Sequence, residues 1–430
     1  MAQAPSECDA EPVSLFWYSL SAGCSLVGYD MSKQLQERVW HSFKLPRSIG
    51  KAKSYANEFV LNTKGVIMPL NAQLLHSNMV VHYSTPEYCL CSSDHSVFRF
   101  RYDTNSFVKI CQLPPKKKGI FGWLKDKIAR LYRRFEPAPG IGNLTETPDG
   151  TIVIVYDRIY LYKPHAGSHS GIAKPLGAEL ERLAPPLRNG LAVDPVNNLV
   201  YFGEYLNNHS RDIRVIGIDT VTCEVKVCWQ FSRQEIKHIH AIIYDAYRKR
   251  LWLTTGDNNE ESAFYYTDDG FSTVHKFAGG DQSWRAIGIL FDETGMEWGM
   301  DAGKDAAADE INHIWRWDFA SNSRTLRCVI GNPAYAISQL DNGGAILATT
   351  FEPGRLQDTP EQAALWYRSP TGEWQQVYSQ NYLYRAMPGI SKYGMIYIPA
   401  GIIPCKNLLF SPVNCQLSHL QLLKINLPSH

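Results

Sequence analysis

Two histidines, a set of carboxylates and three arginines carry the chemistry open to this sequence. His238 and His240 lie two residues apart in the run HIHAIIYD, and on a strand positions i and i+2 face the same side. Such a pair could hold a divalent metal with Asp257 or Asp301 as oxygen donors, or hydrogen-bond a ligand directly. Arg188 and Arg285 fall at the matching place in neighbouring segments, and fixed cations oppose a metal. The expectation is therefore no cofactor, with a divalent ion at His238 and His240 as the alternative. Arg188, Arg285 and Arg385 hold one equivalent position in three segments, and converging guanidiniums would bind a carboxylate or sulfate bidentately. Asp257, Asp301, Glu204 and His240 are the candidate catalytic groups. His238, Glu352, Trp284 and Tyr384 join the arginines as candidate substrate contacts, the aromatics as platforms for a sugar face.

A recurring fragment must position these residues. RNGLAVDPVNNLVYFGE (188–204), HAIIYDAYRKRLWLTTGD (240–257) and RAIGILFDETGMEWGMD (285–301) each run from a polar residue through two apolar strands to an acid. Seven segments share this grammar, starting near residues 78, 140, 188, 238, 284, 334 and 384. By subtraction, the last six starts are 48, 50, 46, 50 and 50 residues apart. A second hairpin follows in most of them, as in IRVIGIDTVTCEVKVCWQF (213–231). Four antiparallel strands per repeat of this length indicate a β-propeller blade, whose apolar faces are buried only by stacking on other blades. The expected fold is all-β: a single seven-bladed β-propeller of four-stranded antiparallel blades over residues 78–430. Strands within residues 1–77 are expected to complete the last blade.

In that architecture the first strand of each blade lines the channel, and both ends of the fragment fall at one mouth. The acid end delivers Asp94, Asp157, Glu204, Asp257, Asp301 and Glu352, with Ala400 in the seventh place. Asp94 and Asp157 run at once into the next strand and read as turn formers. The other four precede longer loops that reach a partner or fill the mouth.

One insertion, residues 114–139, breaks the repeat. Ile120, Leu124, Ile128, Leu131 and Phe135 fall at helical spacing. Lys116, Lys117, Lys118, Lys125, Arg130, Arg133 and Arg134 surround them, with Trp123 on the apolar face. A basic amphipathic helix of this kind suits an anionic membrane surface, and equally the side of the propeller.

Bulk properties set bounds. The 430 residues are 44% hydrophobic and 20% charged with a formal net charge of +1, which gives no overall drive toward nucleic acid. The ten cysteines form no CxxC pair. The first thirty residues lack a basic start with an apolar core, and no run of eighteen apolar residues occurs. A cytoplasmic protein is expected, peripheral on the inner face of a membrane if the insertion binds lipid.

The run YTDDGFS (266–272) is similar to the Asp-box turn that decorates blades of sialidases, with Tyr266 for the usual Ser and Thr273 for the usual Trp. SPTGEW (369–374) is a weaker echo without the Asp. The resemblance implies the propeller fold. It further implies an arginine triad for a substrate carboxylate, which Arg188, Arg285 and Arg385 resemble by analogy. The Phe-Arg-Ile-Pro start of that family is absent.

The function expected from the mouth is that of a carbohydrate-active propeller, a glycoside hydrolase or polysaccharide lyase on an anionic saccharide. The alternatives are a non-catalytic propeller scaffold binding a protein or glycan at a membrane surface, and a metal-dependent hydrolase or lyase using His238 and His240.

Overall fold

The structure is a computed structural model that describes residues 71–114, 140–164, 171–177, 180, 182–355, 358, 360–385 and 391–427. The expected helix at 114–139, with Lys116, Lys117, Lys118, Trp123, Lys125, Arg130, Arg133 and Arg134, lies outside the described residues beyond position 114. The strands expected within residues 1–70 lie outside them as well.

The described chain is an all-β propeller of four-stranded antiparallel blades. Three blades follow the sequence strand by strand. They are β11 (Leu191–Asp194), β12 (Leu199–Gly203), β13 (Ile213–Asp219) and β14 (Val225–Phe231); β15 (His238–Asp245), β16 (Arg250–Gly256), β17 (Ala263–Thr267) and β18 (His275–Gly279); and β19 (Leu290–Phe291), β20 (Gly295–Gly299), β21 (Asn312–Asp318) and β22 (Ser323–Gly331). A fourth joins β6 (Asn143–Glu146), β7 (Ile152–Val155), β8 (Ile159–Tyr162) and β10 (Lys174–Leu176). A fifth is completed from both ends of the described chain: β1 (Gln73–His76) pairs with β30 (Leu422–Ile425), followed by β29 (Leu408–Val413) and β27 (Met395–Tyr397).

The expectation of seven separate blades is corrected here: five four-stranded sheets stand alone. The remaining strands form one ten-stranded sheet. Its two antiparallel halves are β2 (Val80–Ser84), β3 (Tyr88–Ser93), β4 (Ser96–Arg101) and β5 (Ser106–Gln112), and β23 (Ala334–Leu340), β24 (Ala345–Thr349), β25 (Gln362–Arg368) and β26 (Trp374–Asn381). β28 (Ala400–Ile403) joins them by pairing in parallel with both β2 and β23, while β9 (Gly171–Ile172) adds to the β5 edge. Small residues allow the insertion. A Cβ on Gly401, at φ +88, would lie 2.3 Å from the Ser84 carbonyl oxygen.

The core lies between blades. Val153, Val155, Ile159 and Leu161 of one blade share a buried cluster with Val200, Phe202, Ile216 and Ile218 of the next. Ile213, Val215 and Phe231 likewise pack with Ile239, Leu251 and Leu253. Each such side chain contributes about 1.5–3 kcal/mol by leaving water, and neither blade could bury its face alone.

Three inner strands carry a bulge at the same point near their start. Register slips between Val81 and Tyr83, between Ile239 and Ala241, and between Ala334 and Ala336. His82, His240 and Tyr335 are the extra residues. A bulge leaves its extra residue outside the ladder and re-aims the side chain, so three side chains are turned by one device.

Candidate functional site

The loops after the second strands and the starts of the first strands meet at one end of the blades. There, from successive blades, they assemble Tyr205, His238, His240, Asp257, Arg285, Asp301 and Glu352. His238 opens β15, and His240 is its bulged residue. Asp257 follows β16 directly. Gly256, just before it, is required to be glycine: a Cβ there would lie 2.6 Å from His240 Cε1 and 3.0 Å from Arg285 Cγ.

The two imidazoles are oriented from behind. His238 Nδ1 lies 2.6 Å from the Leu206 carbonyl oxygen, and His240 Nδ1 lies 3.3 Å from that of Ala286. A carbonyl only accepts, so each Nδ1 carries a hydrogen, and a ring without a second proton turns an Nε2 lone pair inward. Those two Nε2 atoms are 3.1 Å apart, and Asp257 Oδ1 lies 3.1 Å from one and 3.5 Å from the other. Three acceptors therefore converge on one point. Tyr205 stacks on the His238 ring at 4.1 Å between centroids. Burial, with the Arg285 charge nearby, holds His240 down to about 4, so its Nε2 bears no proton at neutral pH.

Asp257 is shared among cations. Lys237 pairs with its Oδ2, and Arg285 donates through Nη2 to Oδ1 at 3.0 Å and through Nη1 to the backbone carbonyl at 2.8 Å. Burial pushes the Asp257 carboxyl upward, but the Arg285 charge, with hydrogen bonds from the imidazoles whenever an Nε2 carries a proton, outweighs it and holds the group far below the usual carboxylate range. Arg285 also meets Asp305 at 2.9 Å and Asp301 at 3.6 Å.

Asp301 behaves oppositely. It is 3% exposed, and its Oδ1 has no donor among the described residues. Burial raises it well above its ordinary value; Glu352 and Asp257 reinforce the rise, and Arg285 opposes it. Glu352 is raised as well, first by burial, although its Oε2 accepts from the Lys304 amide at 3.0 Å. One guanidinium thus joins a carboxyl held low to a carboxyl held high.

The other candidates lie elsewhere. Glu204 is fully buried and saturated: Arg211 and Arg214 donate at 2.8 and 2.7 Å and the Ala184 amide at 2.9 Å, a structural clamp. Trp284 packs inside a blade, stacked on Trp298 at 5.1 Å and capped by Arg324, so its face is closed to a sugar. Tyr384 is exposed, with no ring partner among the described residues. Arg385 donates to the carbonyls of Cys415 and Gln416. Arg188 bonds the carbonyls of Gly142 and Val81. Among the described residues no partner is common to Arg188, Arg285 and Arg385. Lys237, Gln282, Asp305, Tyr335 and Tyr393 belong to the site without having been singled out as contacts. Lys237 was signalled only by its place before His238.

The YTDDGFS turn folds as a side-chain-capped loop, in which the Asp269 carboxylate accepts from Thr267, the Thr273 amide and the Thr273 hydroxyl. No known protein family matches the sequence, and no curated protein matches it either.

Among solved structures, the chain is similar to an oligogalacturonate lyase in complex with manganese (TM-score 0.49, 11% identity, 86% of this chain and 99% of that one). It is also similar to the Niastella koreensis GH74 enzyme (TM-score 0.47, 12% identity), covering 72% of this chain and 46% of that enzyme, less than half its length. A third likeness is to a chain of a mitotic checkpoint complex (TM-score 0.47, 10% identity, 87% of this chain and 100% of that one). These neighbours include enzymes and an assembly component.

Proposed function

We propose that the protein is a carbohydrate-active propeller, a hydrolase or lyase acting on an anionic saccharide at this mouth, and that His238, His240 and Asp257 hold a divalent cation there. The observation that carries the reading is the convergence of two Nε2 lone pairs and one carboxylate oxygen, each imidazole braced by a carbonyl behind it. Metal-binding histidines are braced in this way, and a cation relieves the repulsion of three facing acceptors. The donor set suits zinc, manganese or a similar borderline ion. Bound there, the ion would supply Lewis-acid polarisation of a substrate oxygen.

The chain's own residues support the substrate class. With Asp301 in its acid form, the ion, Arg285 and Lys237 would bring four positive charges against three from Asp257, Asp305 and Glu352. That excess favours an anionic substrate, such as an oligosaccharide bearing uronic acids. Asp301 is placed to donate a proton, since burial strengthens its hold on one, and Tyr205 offers an aromatic wall. A single guanidinium spans Asp257 and Asp301, compatible with the roughly 5–10 Å that acid and base groups take across a glycosidic bond.

The test is to dialyse the protein against chelator, titrate it with Mn²⁺ or Zn²⁺, and assay uronate oligosaccharides for new reducing ends or an unsaturated product. One tightly held ion is expected, with affinity lowered at least about 100-fold in His240→Ala, and metal-dependent turnover is expected to fall with Asp301→Asn. If the protein takes up no metal, or the metal-loaded protein leaves the whole uronate panel intact, the reading fails.

A further inference from the structure

Arg285 pairs with three carboxylates, and they differ in how firmly they are built into the protein. The side chains of Asp257 and Asp301 are 14% and 5% exposed, while that of Asp305 is 44% exposed and meets Nη1 at 2.9 Å. The guanidinium among them is only 6% exposed. A buried ion pair is costly to break, because it strands a charge. A half-exposed pair is worth little, since water takes over the freed carboxylate. Asp305 is therefore the partner that Arg285 releases most cheaply.

The chain around Asp305 has the same character. A buried cation from the next blade pins both ends of the span. Arg355 donates through Nε to the Gly303 carbonyl at 3.2 Å and through Nη2 to the Glu310 carbonyl at 2.6 Å. The Lys304 amide is tied to Glu352 at 3.0 Å. Between these anchors Lys304, Asp305, Ala307, Ala308 and Asp309 are all exposed. Among the described residues, the only ion pair this span makes is that of Asp305 with Arg285.

We propose that Arg285 Nη1 is the carboxylate subsite of the mouth, and that Asp305 occupies it as a tethered mimic until the carboxylate of a ligand replaces it. The subsite deepens the reading of the mouth as a uronate site, and rests on it for the identity of the ligand. Nη1 keeps its bond to the Asp257 backbone carbonyl at 2.8 Å, and Nη2 keeps Asp257 Oδ1 at 3.0 Å. The exchange thus leaves the carboxylate beside the two imidazoles in place. The incoming acid gains a charge-assisted bond to Nη1, and Asp305 turns to water. A tethered competitor acts at high effective concentration, so a free acid binds in proportion to the fraction of protein with Nη1 open. Removing the competitor has the opposite sign to removing a contact: binding tightens.

The test measures binding of galacturonate, glycolate and neutral galactose by calorimetry to wild type, Asp305→Asn and Asp309→Asn. The last variant removes the same charge from the same span without touching Arg285. Asp305→Asn is expected to bind galacturonate about 3–6-fold tighter than wild type, with no gain for galactose. Asp309→Asn should stay close to wild type. Glycolate separates the subsite from the saccharide: tighter glycolate binding in Asp305→Asn, with no galacturonate taken up by any of the three proteins, supports the subsite and removes the uronate. Equal or weaker binding of both acids in Asp305→Asn overturns the subsite, as does an equal gain in Asp309→Asn or no binding of either acid. Wild-type crystals soaked in galacturonate give a check that needs no variant. The sugar carboxylate is expected on Arg285 Nη1 with Asp305 turned away; bound galacturonate with the Asp305 contact intact overturns the proposal.

Discussion

Asp257 and Asp301 share one arginine and are driven in opposite directions. Asp257 meets Lys237, His238 and Arg285 and is held as an anion; Asp301 is shut from water, with one oxygen unanswered among the described residues, and burial raises its hold on a proton. That divergence is what a site needs if one group is to hold charge while another delivers a proton. Glu204 illustrates the contrast with a purely structural acid. Its carboxylate receives two guanidiniums and an amide and has no capacity left for a ligand. Replacing one partner of a buried ion network leaves its charges stranded. Glu204→Gln is therefore expected to destabilise the fold by about 3–5 kcal/mol in urea denaturation. A stable Glu204→Gln protein with lost activity would instead return Glu204 to the catalytic set. The sequence carried the residue types of the site but not their roles. His238, His240, Asp257, Arg285 and Asp301 could be selected from position in the repeat, because strand ends fix which loop a residue occupies. Glu204 and Trp284 occupied equivalent positions and had other duties, set by Arg211, Arg214 and Trp298, which no spacing reveals.

At the scale of elements, the bulges and β28 decide the geometry of the mouth. The alternation of β15 is legible as a strand, yet the slip that frees His240 from the ladder leaves no mark in the sequence. Its twins at His82 and Tyr335 become visible only when registers are compared. Likewise the run AGII was readable as the site of a missing acid, Ala400. It was not readable as a strand that pairs in parallel with two inner strands, since both contacts are made by partners about 60 and 320 residues away by subtraction. Gly401 makes the insertion possible. A Cβ would strike the Ser84 carbonyl, and its positive φ already penalises other residues. Gly401→Ala is expected to cost at least about 2 kcal/mol, measured as a lowered urea midpoint. Hydrogen exchange should rise first in β28 and β2. An unchanged midpoint would mean that β28 is dispensable to the sheet.

For the whole molecule, the repeat fixed the propeller, because a period of 46–50 residues with two hairpins per unit admits few other folds. The number of separate sheets was not fixed, since β28 fuses two units through contacts remote in sequence. Stability toward acid is another property of the whole. Burial lowers His419 to about 4, with Arg385 adding to the effect, and holds His82 well below its ordinary value, with Arg188 adding. Unfolded histidine titrates near 6.5. Between about 6.5 and about 4 the unfolded chain therefore binds more protons than the fold, so stability rises with pH across that window. The contribution is complete above about 6.5 and is lost as pH falls through the folded values. Urea midpoints should drop between pH 7 and pH 5, and His419→Gln should flatten part of that slope; a midpoint independent of pH would refute the assignment.

The pairing of β1 with β30 carries a consequence in time. Gln73 lies opposite Lys424, so by subtraction 351 residues separate the two sides of that ladder. At ribosomal speeds of about 5–20 residues per second, the edge of β1 waits roughly 20–70 s for its partner. Throughout that interval its open hydrogen-bonding groups can pair with any passing strand. β1 has only four residues, and Leu74 and Leu75 are the two large apolar side chains it offers. Brevity at that edge limits its capacity to capture other nascent chains before its own last strand arrives.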